Sequence, residues 1–503
     1  MPGKTTHPGL PQNPPPMRSI LPAFLLASTI LAADQPQWGR AWTRNLVSEE
    51  KHLPDSFDPE TKQNVRWVVD LGTNTHSTPI IAGGRIFIGT NNANPRDPKH
   101  VGDRGVFMCL DEKDGHLLWQ LVVPKLEDDK YLDWPEMGMC SEATVEGDLA
   151  YLVTNRGEVV CLDVHGMADG NEGCQDEGRH MALRGESAMT PGALDADIVW
   201  MLDMKEVCGI WCHDGAHSSI LIHGDHLYVN TGTGVDNTHR LIRRPDAPGL
   251  IVVDKKTGKY LAREDEHISP NIFHSTWSSP SFAEIDGNPT IFFCGGNGMT
   301  YAFDPLEQPS PSGEVVKLSK RWQYDLDPTA PKTQVHRFTQ NRQEGPSNIY
   351  GMPVIADGKL FVAGGGDVFW GKNESWLKCV DPHNGKELWS HSLGKHTLTT
   401  PTIHDGFVYA TDADGVLHCV DAKTGAPVWT HEMNGAFWAS AMVADGKIYV
   451  GTRKGNWAVL AADREKRVLC NLELKAPISA TATIANGVVY LATMKQLWAL
   501  ALQ

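Results

Sequence analysis

The chain has 503 residues, 41% of them hydrophobic, with 45 Lys and Arg against 61 Asp and Glu for a formal charge of −16. This is ample apolar material for a large folded core, and the acidic balance excludes a phosphate backbone as a natural partner while suiting cations or neutral sugars. Beyond one apolar run near the N-terminus, no stretch approaches the 18 or so residues that a membrane helix needs.

Residues 1–16 are rich in Pro and polar side chains, and Met17-Arg18 then precedes an apolar run from Ile20 to Ala33. A charged start, a short apolar core and the small residues Ala32-Ala33 describe a secretory signal, with Met17 as the start of the chain and residues 1–16 an upstream extension. A short membrane anchor is the alternative. The expected product is a periplasmic or secreted chain that does not span a membrane once residues 1–33 are removed. Residues 34–64 read as a lead-in segment.

From residue 65 onward the chain repeats. A Gly turn between two short strands recurs at Gly84, Gly147, Gly224, Gly287, Gly358, Gly406, Gly446 and Gly487. An Asp closing a third strand recurs at Asp111, Asp163, Asp254, Asp304, Asp381, Asp421 and Asp463. Glycine-bearing turns such as Asn384-Gly385 and Thr424-Gly425 follow, and Trp119, Trp389 and Trp429 stand four residues after such glycines. Four short strands in a period near 40 residues predict a β-propeller blade. The expectation is therefore an all-β, eight-bladed β-propeller of four-stranded blades over residues 65–503. The strand at Val65–Asp70 would pair with the last unit, which lacks a fourth strand, and so close the ring. The tryptophans are placed to wedge between neighbouring blades.

Of the ten cysteines, Cys109, Cys161, Cys379 and Cys419 each stand two residues before the recurring Asp, so they repeat with the blade and read as small buried apolar residues. Cys208 and Cys212 fall outside the repeat and run into His213, Asp214 and His217. A disulfide, or a Zn or Cu site on Cys208, Cys212, His213 and His217, is open to them, although the spacing matches no standard zinc module. A Gly-rich acidic loop with Asp163, Asp169 and Asn171 offers oxygen ligands suited to Ca²⁺, against the plainer reading of a solvated loop.

In propellers, ligands gather at the channel mouth, lined by the segments that enter the innermost strands. Blade by blade these entries bring His76; Glu136 and Glu142; His213, Asp214 and His217; His274 and Trp277; Arg342, Asn348 and Tyr350; His396; and Trp438. Each alone is equally a polar residue at a solvated strand end. Together they predict a polar pocket with an aromatic floor. There is no G-x-S-x-G, P-loop or Rossmann fingerprint to support acyl transfer or nucleotide chemistry.

The D-x-x-T-G-x-x-x-W pattern, seen whole from Asp421 to Trp429, resembles the repeat of the pyrroloquinoline quinone (PQQ)-type propellers. That superfamily holds quinoprotein alcohol dehydrogenases and an outer-membrane assembly lipoprotein. The opening Pro36-Gln37-Trp38 is similar to the lead-in of many secreted members without an assigned activity. The resemblance implies the fold, and it puts the dehydrogenase chemistry in question at three places. Where the family reads G-T-G-N, with the Asn a calcium ligand, Val235 follows Gly234. Where the family carries an acidic D-x-W-D segment, this chain has His274-Ser275-Thr276-Trp277. The family's adjacent cysteines are absent. No Cys near residue 33 provides a lipid anchor. The expected function is a binding or scaffolding module for an extracellular saccharide, small molecule or protein. PQQ is disfavoured as cofactor, and Ca²⁺ or a transition metal remains open. The alternative is a divergent PQQ-dependent dehydrogenase, or a metal-assisted lyase or hydrolase using His213, Asp214, His217 and His274.

Overall fold

Eight antiparallel sheets are arranged around one axis in the computed structural model, which describes residues 1–4, 33–126, 133–213 and 219–503. The expected signal segment, apart from Ala33 itself and Met1–Lys4, and the predicted site residues Asp214 and His217 lie outside the described residues. The first strands of the eight blades are Ile80–Ala82, Thr144–Glu146, Leu221–His223, Ser281–Ile285, Val354–Ala356, Thr402–His404, Met442–Ala444 and Thr483–Ala485. They lie innermost, next to one another around the axis. The outermost strand of the eighth blade is Val65–Asp70, paired antiparallel with Gln496–Leu500. The ring is closed by the N-terminal strand, as the sequence predicts. Three blades gain a short fifth strand, at Val47–Ser48, Val316–Lys317 and Ser347–Asn348.

The recurring glycines make the first hairpin of every blade possible. All eight have positive φ, and at six turns the preceding residue (Gly83, Asp286, Asp357, Asp405, Asp445 or Asn486) is left-handed as well. Two left-handed residues in succession form the type I′ turn, whose twist matches that of the strands it joins. At the second hairpin the Asp carboxylate caps the turn. Asp421 Oδ1 accepts from the Lys423 and Thr424 amides and from the Thr424 hydroxyl, and Asp254 does the same for Lys256 and Thr257. In the seventh blade this strand instead ends at Ala461, whose amide bonds Arg467, so Asp463 belongs to a turn one residue longer.

Blades are joined by a repeated clasp. An indole N–H on the fourth strand donates to a carbonyl in the next blade's turn: Trp67 to Glu112, Trp119 to Val164, Trp200 to Lys255, Trp322 to Pro382, Trp389 to Ala422 and Trp429 to Asp463. At five of these joints the ring lies over a glycine of the accepting turn. A Cβ on Gly258 would come within 2.4 Å of Trp200, and one on Gly385 within 2.6 Å of Trp322. Each clasp therefore combines a large ring, buried at Trp119, Trp200 and Trp322 and half-buried at Trp67, Trp389 and Trp429, with one satisfied polar group. Cys109, Cys161, Cys379 and Cys419 are buried in the apolar layers between blades, as their repetition predicts.

The small polar residues of the innermost strands and their entries bond from blade to blade. Thr144 donates to Ile220, Thr402 to Ala441 and Thr483 to Pro79, each at 2.6 Å. The lead-in segment runs along the inner edges of all eight blades. Gln35 exchanges two bonds with Ile81, and the Pro36 carbonyl accepts from Val145. Arg44 donates to the carbonyls of Ser219 and Pro280. The Trp42 and Thr43 carbonyls take the amides of Phe282 and Ile355, and Asn45 pairs through its side chain with Ile403. The Leu46 carbonyl takes Val443, and the Glu50 carboxylate takes the amide of Gly487.

Gly385 and Gly406 have nearly equal positive φ, 73° and 79°, but only Gly385 sits beneath a clasp. Gly406→Ala is expected to cost only the left-handed strain of about 1–2 kcal/mol. Gly385→Ala must also displace Trp322, so its denaturation midpoint should fall clearly below that of Gly406→Ala. Equal midpoints would remove the clasp from the account of ring stability.

Candidate functional site

The lead-in segment turns the central channel into a cup. Trp38, on that segment, lines a cavity of about 150 Å³ together with His76, Glu142, Trp277, Tyr350 and Trp438 from the strand entries. Phe369 reaches it from the loop between the second and third strands of blade 5, and Thr78, Met137, Leu398, Ser479 and Thr481 complete the lining. The rings interlock: Trp277 and Tyr350 have centroids 4.9 Å apart, His76 and Trp438 5.6 Å, and Phe369 and Trp438 6.2 Å. The Arg453 guanidinium lies over the Trp438 ring at 4.5 Å and holds it from outside.

Two buried ionisable groups meet at this wall. Arg44 is fully buried, and its guanidinium donates to the carbonyls of Trp38, Ser219 and Pro280 and to the Ser219 hydroxyl. Burial draws its pKa down to about 9, with the charge of Glu142 opposing the shift, so it is protonated at neutral pH. Glu142 is 5% exposed and accepts from the Thr78 amide at 3.2 Å. Burial pushes its carboxyl up to about 7, against the pull of Thr78 and Arg44.

Beside the cup, three imidazoles come together from separate parts of the chain. His213 enters blade 3, His239 lies in the loop after that blade's second strand, and His274 enters blade 4. One ring nitrogen from each lies within 4.8 Å of the other two. His213 Nδ1 is 2.7 Å from the Val235 carbonyl, and His274 Nδ1 is 2.8 Å from Asp367 Oδ2. Asp367 is wholly buried, takes the Tyr350 hydroxyl on the same oxygen, and accepts the Phe369 and Trp370 amides on the other. Burial would raise its carboxyl, but His274 and these donors outweigh it and hold the pKa at about 2.

The predicted residues thus divide. His76, Glu142, Trp277, Tyr350 and Trp438 line the cup, and His213 and His274 belong to the imidazole cluster. Arg342 stands outside the wall, where its guanidinium donates to the carbonyls of Asp367, Phe369 and Gly371 and approaches His396 at 3.3 Å. Asn348 is buried and donates to Ser275. Glu136 offers its backbone carbonyl to Asn91 and Asn74, while its neighbour Met137 faces the cup. Cys208 and Cys212 are free thiols in the apolar layer between blades 2 and 3, away from the imidazole cluster, and burial pushes both up to about 12. Asp163 and Asp169 meet each other and His165 on the surface, whereas Asn171 turns to Glu177. Sequence reasoning misses Trp38, Arg44, His239, Asp367 and Phe369. Only the Gly364-Gly365-Gly366 run marked the Asp367 loop, where a Cβ on Gly366 would meet the Lys372 carbonyl at 1.9 Å.

The profile of the family described as outer membrane protein assembly factor BamB matches residues 56–175, 312–436, 373–469 and 413–501, together more than half of the chain. The chain belongs to this BamB-type family of PQQ-like propellers. Solved structures of similar fold include BamB from Moraxella catarrhalis, with a TM-score of 0.52 and 13% identity over 86% of this chain and 95% of that one. A europium-containing methanol dehydrogenase aligns with a TM-score of 0.58 and 11% identity over 92% of this chain and 89% of that one. The computationally designed Ika8 protein aligns at 0.50 and 10%, over 91% and 99%. At such identities these likenesses establish the fold of a BamB-type propeller and nothing about its chemistry. No curated protein matches the chain. Among the described residues, no helix is long and apolar enough to cross a membrane.

Because Glu142 is raised from 4.5 to about 7, folding favours its protonated form. Its contribution to stability is complete below pH 4.5 and is lost as pH rises through 7. Glu142→Gln is expected to remove this loss, on the order of 3 kcal/mol between about pH 5 and pH 8. Denaturation midpoints of wild type and variant across that range check it; parallel curves would mean that Glu142 is already ionised in the folded protein.

Proposed function

We propose that this BamB-type propeller is an extracytoplasmic binding module, and that its cup takes a small neutral ligand of the saccharide class. The observation that carries the reading is the aromatic cup closed from below by Trp38. Flat rings at its wall and a few hydroxyls at Thr78, Ser479 and Thr481 match a molecule with apolar ring faces and polar edges. Export rests on the sequence of residues 17–33 and agrees with the family's description as an outer-membrane assembly factor. That description also favours a second reading, in which the exposed faces of the ring scaffold an envelope protein.

The donor set at the cup argues against a quinone held by a hard cation. Such a cation prefers oxygen ligands. Here the nearby carboxylates have other partners, Glu142 with Thr78 and Asp367 with His274 and Tyr350, and the grouped donors are imidazoles. Val235 is buried, and its carbonyl is engaged by His213. The residues present do not fit PQQ with Ca²⁺.

A tryptophan-fluorescence titration with a panel of mono- and oligosaccharides tests the binding reading. A saturable change is expected with at least one sugar, weakened roughly tenfold or more in Trp277→Ala and in Trp438→Ala, since a lost aromatic contact is worth about 1–3 kcal/mol. PQQ with Ca²⁺ should give no saturable response. Micromolar quenching by the quinone that Trp277→Ala abolishes would overturn the proposal in favour of a dehydrogenase. Silence toward every sugar, with co-purification of an envelope protein, would favour the scaffold.

A further inference from the structure

We propose that His213, His239 and His274 form a three-imidazole centre for a divalent transition ion of the zinc or copper class. Neutral imidazole suits these ions rather than Ca²⁺ or Mg²⁺. Three His ligands leave a fourth position for water or a ligand atom, the composition of reactive rather than purely structural zinc sites.

Three features separate this cluster from histidines that merely pack together. The ring nitrogens already lie within 4.8 Å of one another. Ligands at 2.0–2.1 Å from one tetrahedral ion stand about 3.4 Å apart, so closure needs movements of roughly an ångström. Two of the rings are anchored through Nδ1, His213 by the Val235 carbonyl and His274 by the Asp367 carboxylate. A carbonyl or carboxylate on the far nitrogen is the usual means of orienting a metal-bound imidazole and fixing its tautomer. Asp367 is itself over-determined, by the Tyr350 hydroxyl and the amides of Phe369 and Trp370, which leaves His274 little freedom.

The third ligand comes from a different loop. His239 is partly exposed on a loop, in left-handed conformation at φ 55°, with its ring 4.9 Å from His213, 5.1 Å from His274 and 5.3 Å from Trp370. The centre adjoins the cup, because Trp277 and Phe369, both lining the cavity, pack against His274 at 5.5 and 5.8 Å. Asp367 thus serves as a positioning residue for the centre and, through Tyr350, for the cup wall.

The test uses the full chain stripped with a chelator and titrated with Zn²⁺ by calorimetry, then with Co²⁺ by visible absorption. One ion per chain is expected, with Co²⁺ giving the intense ligand-field bands of a four-coordinate site. His239→Asn retains a residue that tolerates left-handed backbone and removes the imidazole. It should keep the wild-type melting curve in chelator and lose at least tenfold in Zn²⁺ affinity. Asp367→Asn should weaken binding about 10–100-fold. Cys208→Ala with Cys212→Ala should leave affinity unchanged. The proposal is overturned if wild type takes up no ion, if His239→Asn binds as tightly as wild type, or if the cysteine variant loses binding while His239→Asn retains it. These readouts require no sugar, so failure of the cup as a saccharide site would leave them unaffected.

Discussion

A propeller built from sheets set edge-on to an axis has an intrinsic difficulty: the innermost strand of each blade presents one unpaired edge to the channel. Backbone donors and acceptors buried there without partners would cost about 1–3 kcal/mol each. In this chain one segment, Gln35 to Glu50, answers that need for eight blades, through backbone pairing at Ile81, Val145, Phe282, Ile355 and Val443 and through side chains at Ser219, Ile403 and Gly487. Arg44 has a central part in it. Its planar fork of donors satisfies carbonyls from two blades and from the segment itself, a geometry that a lysine ammonium does not supply.

The rest of the molecule depends on this closure. With the channel filled from below, the strand entries have a floor to pack on, and aromatic side chains project into a cup rather than into a water-filled tube. Trp38 belongs at once to the packing of the segment and to the wall of the cavity. The same economy appears at Asp367, whose two oxygens tie His274 and Tyr350 to the loop that carries Phe369.

What repeats in the sequence is what it makes legible. The eight glycines, the capped Asp turns and the tryptophans recur because each blade solves the same local problem, so one sequence suffices to read the ring and its closing strand. The exception at Asp463, in a turn lengthened by one residue, shows the limit of matching letters without counting hydrogen bonds. The site is legible only where it uses the repeat: His76, Glu142, Trp277, Tyr350 and Trp438 all sit at strand entries. His239, Asp367 and Phe369 sit in insertions, whose paths no periodicity describes. Arg44 and Trp38 were hidden differently, in a segment that has no blade of its own and whose partners lie hundreds of residues away. Cys208, Cys212 and His213 are close in sequence, yet the backbone sends the thiols into an apolar layer and the imidazole toward the mouth.

The threading of the lead-in also orders events in time. Asn45 bonds a residue 358 positions later, and Glu50 bonds one 437 positions later. These residues leave the ribosome ahead of every blade, yet their partners exist only once the sixth and eighth blades have formed. Contacts of such separation form slowly, since the loop entropy must be overcome first. This early-made segment is therefore among the last to find its place, and a nascent or truncated ring keeps its inner edges open until the whole sequence has been made.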